Sequence, residues 1–473
     1  MGRRAKIKNR LKKVMGTSDI LVVAFGAMIG WGWVVSSGRW IQSAGTIGTV
    51  IGFIIGGIMI YFVGMTYAEL TPAMPKDGGE HVFSYKAFGP TASFICTWAV
   101  ILSYTGVVCF EAVSLPTIIS SVFPSFNQVY LYSVAGSDVY LTGVILASVC
   151  SLGIIVINIF GIKDASILQT VLTVTIAAVG VILFIASVIN GDSANLEGQV
   201  IAGEGFEAIK NIMSVAVIAP FFLFGFDVIP QVAEEINIPL KKIARVLLLS
   251  IICAVTFYGL VVFAVGYALN SSEIAAAMEE SGLVTASAME KMFNSTVMAK
   301  VLIIGGFCGV VTSWNSFMIG GSRAIFSMAE SRMIPEEFSV LDKKYKTPVN
   351  AILLIGVLSL AAPFFGRTML VWISDVASFA CCLVYCMVSM SFIILRKKEP
   401  DLSRPYKVKY YIFVGFTAAL LSGMIVVLFL VPGSSCNLTF QEWIIVGGWA
   451  LLGLIFYTVC KKKYKEEFGT VLF

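Results

Sequence analysis

Residues 18–40 read SDILVVAFGAMIGWGWVVSSGRW, an apolar run long enough to cross a bilayer yet interrupted in its middle by Gly26, Gly30 and Gly32. A transmembrane helix needs about 20 apolar residues, and an ordinary one has no use for three glycines at its centre. Residues 208–231, AIKNIMSVAVIAPFFLFGFDVIPQ, repeat the anomaly with Pro220, Gly225 and Pro230. Breaking a helix in hydrocarbon frees N–H and C=O groups, which is tolerable only where they line a cavity or meet a ligand. Close packing of the kind expected at Gly52 and Gly56, or at Gly305 and Gly309, would account for one such cluster but not for two matched ones.

Further apolar stretches run over 46–70, 91–123, 139–160, 165–189, 243–268, 297–328, 347–365, 369–395, 410–431 and 443–459. With the two interrupted segments they make twelve expected spans, and the interrupted ones are the first and the sixth. A repeat of five helices inserts its second copy upside down, and matched broken helices in two inverted halves point to a central binding site in a secondary transporter. The sequence therefore predicts an all-α polytopic membrane protein. Residues 18–190 form one five-helix repeat, 208–395 its inverted copy and 396–460 helices eleven and twelve, with tails at 1–17 and 461–473.

Composition supports the same class. The 473 residues are 58% hydrophobic and 13% charged, against roughly 25% charged in a soluble domain, and the mean hydropathy is +0.90. A single histidine, His81, excludes a multi-histidine metal site, and no GxxxxGK[ST] phosphate loop occurs. The ten cysteines fall almost entirely inside apolar runs and read as small buried hydrophobes rather than a disulfide framework. With the N-terminus inside, all of the 33 basic residues but Arg39, Lys210, Lys291, Lys300 and Arg367 fall in cytoplasmic segments or helix ends. That satisfies the positive-inside rule loop by loop, places both termini in the cytoplasm and explains the net charge of +5 through anionic lipid rather than nucleic acid. The longest external pieces are expected near 191–207 and 269–296, and His81 in an interfacial loop.

Four motifs in order carry a family resemblance: GAMIGWGW at 26–33, MTYAELTPAMPKDGGEHVFSYKAFGP at 65–90, FFLFGFDVIPQVAEEINIPLKKIAR at 221–245 and NSFMIGGSRAIFSMAESRMIP at 315–335. Together they resemble the amino acid, polyamine and organocation transporter superfamily, with Glu69, Leu70, Pro75, Gly78, Gly79 and Tyr85 standing for the elements of its second helix and following loop. The resemblance implies a LeuT-like fold with ten core helices and two more at the C-terminus. Trp31 departs from the pattern, standing where a small serine is usual.

A zwitterion supplies the partners that broken helices lack. Freed amides near Gly30, Trp31 and Gly32 are expected to hold a carboxylate, and carbonyls near Ala27, Met28 and Phe224 to accept from an ammonium. Ile29 and Gly225 complete the expected site, with glycine where a Cβ would obstruct the approach. The resemblance assigns Phe221 to an aromatic gate, against the alternative of lipid-facing filler that holds for most phenylalanines, its neighbours Phe222, Phe224 and Phe226 included. Trp31 is expected to narrow the pocket toward small substrates.

Ionisable residues within spans should face the interior, since an unpaired one costs at least about 2.5–3.5 kcal/mol at mid-bilayer. Four are expected: Arg39, Glu111, Asp227 and Asp375. Asp227, two residues after Gly225, is a proton-relay candidate or a cap on freed amides. Arg39, Glu111 and Asp375 form an outer gate or are solvated vestibule charges. Thr312 and Ser313 are sodium-site candidates or back-bond to their own helix. No lysine lies between 165 and 189, which removes the cation surrogate of some proton-coupled relatives. The expected protein is a plasma-membrane carrier of an amino acid or small amine, coupled to protons, to sodium or to exchange. It needs no cofactor, nucleic acid or obligate protein partner. A channel lacks its charged rings or filter repeat, a sensor its soluble domain and an enzyme its catalytic constellation.

Overall fold

A computed structural model describes residue 11 and residues 13–280, 282–434 and 436–470. The tail residues Arg3, Arg4, Lys6, Lys8, Arg10 and Lys12, and positions 471–473, lie outside the described residues.

The first apolar run forms three pieces, α1 (Thr17–Met28), α2 (Gly32–Val35) and α3 (Ser37–Ala44). After it come α4 (Thr46–Ala73), α5 (Glu80–Phe88) and α6 (Pro90–Val122), then a hairpin of β1 (Tyr130–Val134) and β2 (Ser137–Tyr140). The chain continues through α7 (Leu141–Phe160) and α8 (Ile162–Asn190) to the second interrupted run, α9 (Gly205–Phe222) and α10 (Val228–Gln231). Next are α11 (Leu240–Ala268), α12 (Ser271–Glu280), α13 (Val284–Phe293) and α14 (Thr296–Glu330). The last four helices are α15 (Val349–Ala361), α16 (Met369–Lys398), α17 (Tyr411–Leu430) and α18 (Phe440–Tyr464).

Among the described residues ten helices are long and apolar enough to cross a membrane: α4, α6, α7, α8, α9, α11, α14, α16, α17 and α18. The other two expected spans are shorter apolar helices, Thr17–Met28 and Val349–Phe365. In the first, the helix runs through Gly26 and stops at Met28, just before Gly30, a residue that favours helix least apart from proline. The long helix α14 occupies the middle and packs against α6, α8 and α1, with nearly every residue from Thr312 to Ala329 buried. The apolar window of α18 is only 11% buried, which leaves this helix on the lipid-facing periphery.

Two expectations are corrected, on His81 and on the ionisable residues of the spans, and two connections take on structure. His81 is not interfacial: it is fully buried on α5, its Nδ1 bonded to Thr97 and Ser93 and its Nε2 to Ser331 Oγ at 2.8 Å. The segment 269–296 is packed onto the bundle: α13 buries Val284 and Thr285, and Thr285 Oγ1 donates to Trp33 O at 2.9 Å. The connection after α6 holds a hairpin turning on Ala135 and Gly136, both at positive φ. Finally, Arg39, Glu111, Asp227 and Asp375 are not the only ionisable groups within the apolar segments; of them only Glu111 and Asp375 stand on long apolar helices, α6 and α16. Glu69 on α4 is buried and binds Arg396 at 2.6 Å and Arg404 at 3.1 Å, and Arg323 on α14 binds Glu235 at 2.8 Å.

Candidate functional site

Helix α1 stops at Met28, Ile29 leaves helical geometry with ψ 79°, and α2 begins at Gly32. Among the described residues the amides of Gly30, Trp31 and Gly32 donate to no protein group. Buried backbone donors are nearly always paired, so this row of free amides marks a place for a ligand or water. The Met28 carbonyl, by contrast, already accepts from Tyr258 Oη at 3.0 Å.

The second interruption lies between Phe222 and Val228 and turns on Gly225, whose φ of +136° is closed to residues with a Cβ. Asp227 holds this turn. Its Oδ1 accepts from the Gly225 amide at 2.9 Å and from Tyr385 at 3.4 Å, while Oδ2 accepts from Tyr104 Oη at 2.8 Å. The arrangement is the capping alternative, with the carboxylate engaged by three donors.

The two interruptions meet, backed by the glycine stripe of α14. A Cβ on Gly309 would fall 2.6 Å from Gly30 O, so α14 can press against the unwound stretch only as glycine there. Trp31 packs its indole directly on Gly306. Behind α1, Val22 O accepts from Gln169 Nε2 and Thr173 Oγ1, and Gln169 in turn accepts from Asn315 at 3.0 Å. The side of α8 that meets α1 thus presents neutral donors, an amide and a hydroxyl.

A cavity of about 270 Å³ opens on the unwound stretch. Of the residues expected from sequence, Ala27, Met28, Gly30, Trp31, Gly32, Phe221 and Phe224 line it, while Ile29 is fully buried and Gly225 lies behind Ala27. Arg39, at the mouth, and Glu111 also line it. Asp375 does not: it faces Glu442 on α18, and no ion pair joins it to Arg39 in this conformation among the described residues. Ser313 reaches the cavity, whereas Thr312 donates to Gly309 O at 2.9 Å and stays outside.

Sequence reasoning missed Phe222, whose ring packs directly on Gly32, and Phe110, Phe317 and Tyr258, which complete an aromatic wall. The run FFLFGF carried that signal, since rings beside a broken helix serve the cavity rather than lipid. Phe226 likewise is buried, stacked on Tyr385 with centroids 5.5 Å apart. Other cavities, of about 300 Å³ beside the hairpin and about 350 Å³ in an apolar groove between α6 and α18, touch neither interruption.

The mouth, with Arg39 and the exposed Val371, lies at the end of the bundle opposite most of the basic residues. The basic end is shut. The amides of Val14 and Met15 donate to Glu235 O at 2.9 and 3.0 Å, the Glu234 amide donates to Asp77 at 2.6 Å, and Gln231 donates to Glu80. Burial pushes the Asp77 carboxyl well above the usual range, helped by the neighbouring Glu235 charge. It does the same to Glu80, helped by the charge of Asp227.

Comparison with known proteins agrees with this architecture. The family model described as amino acid permease matches residues 15–456. The branched-chain amino acid permease BcaP of Bacillus subtilis is 26% identical over 96% of this chain and 94% of its own length. The serine/threonine exchanger SteT of the same organism is 26% identical over 96% of this chain and 98% of its own. An aspartate-proton symporter, again from Bacillus subtilis, is 24% identical over 89% and 80%. These relatives are membrane transporters and not enzymes, and a match across nearly the whole sequence makes this chain a member of the amino acid permease family.

Proposed function

We propose that the chain is a secondary carrier that moves an amino acid or a related small amine across the plasma membrane by alternating access. Its helices form a LeuT-like pair of inverted repeats, 18–190 and 208–395, followed by helices eleven and twelve in 396–460, with both termini in the cytoplasm. The observation that carries this reading is the meeting of two interrupted helices at a cavity where the amides of Gly30, Trp31 and Gly32 are free. These amides receive the substrate carboxylate, and the carbonyls of Ala27 and Phe224 receive its ammonium. With the basic end inside, an open mouth at Arg39 and a shut basic end correspond to an outward-open state. Phe221 and Phe222 then close over the substrate before the basic end parts.

The Trp31 indole fills volume beside the free amides, so the carrier takes small or slim substrates, and Trp31→Ser widens the range. Transport is proton-linked or exchange, the modes named for the aspartate-proton symporter and SteT among the relatives. Sodium coupling draws no support from Thr312, whose hydroxyl is engaged within its own helix.

Uptake of labelled amino acids and small amines into proteoliposomes, at set pH and sodium, tests the reading. Saturable uptake of a small amino acid, unaffected by removing sodium, is expected. Uptake of none of them, or tight binding of arginine or tryptophan by the unmodified protein, would contradict it.

A further inference from the structure

Glu111 is the one acid lining the cavity. It is 2% exposed, and its Oε2 is buried with no hydrogen-bond partner among the described residues. Its Oε1 lies 2.8 Å from where a Cβ on Gly30 would stand, so the carboxyl bears directly on the stretch whose amides are free. The Ser313 hydroxyl lies 3.7 Å from the same point. No lysine, arginine or histidine forms an ion pair with Glu111 among the described residues.

The groups around it offer a hydrogen bond from Ser313 but no paired cation among the described residues. Arg39, from α3, is exposed at the mouth. From α11 comes Tyr258, whose hydroxyl is engaged by Met28 O, and from α14 comes Ser313. Two turns along α6, Tyr104 donates to Asp227, as does Tyr385 from α16, and Asp375 on α16 is turned toward Glu442. The second interruption contributes Asp227, already held by three donors and outside the cavity lining.

We propose that Glu111 carries a proton taken up together with the substrate's carboxylate, and that this site, rather than Asp227, couples transport to pH. The assignment rests on the reading that an amino acid binds at the free amides. A carboxylate placed there faces the Glu111 carboxylate, which no cation pairs among the described residues, and two like charges so close in a buried setting cannot both remain ionised. Wherever Glu111 is ionised beforehand, one proton from solution therefore settles on its carboxylate as the substrate binds. It bridges the two acids, with Ser313 as the neighbouring hydroxyl, and returns to solution on the far side when the substrate leaves. Charge balances at each step: one proton enters and leaves with each carboxylate.

The test is calorimetry of L-leucine, L-serine and L-aspartate binding to the purified full chain, in buffers of different ionisation enthalpy and across a pH series. Expected is net uptake approaching one proton per substrate at alkaline pH, where Kd rises about tenfold per pH unit. Glu111→Gln binds with no proton uptake and a pH-independent Kd, Glu111→Asp keeps the linkage, and Asp227→Asn keeps it wherever that variant folds. If Glu111→Gln does not fold, the wild-type proton count and a protonated-carboxyl infrared band appearing on substrate addition decide the matter. Binding with no proton uptake, uptake that survives in Glu111→Gln, or binding that needs sodium instead would overturn the assignment alone. Failure of every amino acid to bind would overturn the underlying reading with it.

Discussion

A Cβ on Gly225 would stand 2.7 Å from the Cβ of Ala27 and 3.0 Å from its carbonyl carbon, so the second interruption packs directly on the end of α1 with no room for a side chain. The contact explains why the second break turns on glycine: the residue sits at φ +136° and also lacks room for a methyl group. Gly225→Ala is expected to cost about 2–4 kcal/mol through backbone strain and overpacking, and to lower uptake at least about tenfold. Melting temperature and proteoliposome uptake read the two effects, and a variant with wild-type values in both would show that the contact is dispensable.

Phe221 stands at the cavity, half-buried, with its ring 5.1 Å from Phe222 and 6.3 Å from Phe110. If it closes over substrate, Phe221→Ala should abolish uptake while the purified protein stays monodisperse. Phe221→Tyr, which keeps the ring, should retain partial activity. Undiminished transport by the alanine variant would return this ring to the role of filler.

At the basic end Arg323 and Glu235 form an ion pair with side chains only 1% and 3% exposed. Removing one partner leaves a buried charge uncompensated, so Arg323→Ala should cost about 3–5 kcal/mol. Replacing both together, Arg323→Met with Glu235→Met, should recover most of that stability. A double variant as unstable as the single one would mean that the pair's packing, not its charge balance, matters.

Burial, with a smaller push from the Lys76 charge, lowers the His81 pKa from 6.5 to about 3. The unfolded ring takes a proton below 6.5 while the folded ring refuses it down to about 3. Its contribution to stability is therefore complete above pH 6.5 and falls with pH through that window, by at most about 1.4 kcal/mol per unit. The buried acids Asp77 and Glu80, with raised pKa values, act in the opposite direction, so the difference between wild type and His81→Gln isolates the ring. That difference should shrink as pH drops from 7 toward 4. A constant gap would contradict the burial of a neutral imidazole.

Much of this was legible in the sequence because residue type and periodicity carry it. Three glycines in one apolar run and Pro220, Gly225 and Pro230 in another locate both breaks, and the structure brings them together. What stayed hidden depends on contacts between distant positions. Nothing near Glu111 says that it meets Gly30 and Ser313, and its reading as an outer-gate residue came from depth along α6 alone. His81 looked interfacial because it follows a Pro and two glycines, yet its partner Ser331 lies 250 positions away. Likewise the sequence groups Asp375 with Arg39 and Glu111, and only the packing of α16 on α18 shows that it faces Glu442.

Counterflow in proteoliposomes tests the carrier reading most directly. Vesicles loaded with an unlabelled amino acid substrate, diluted into a trace of the same compound carrying label, should accumulate label transiently above its outside concentration. The overshoot should vanish in Gly225→Val, where the two interruptions cannot approach. Label that merely equilibrates, with no overshoot at any loading, would mean that the cavity does not alternate between the two sides and would contradict the account.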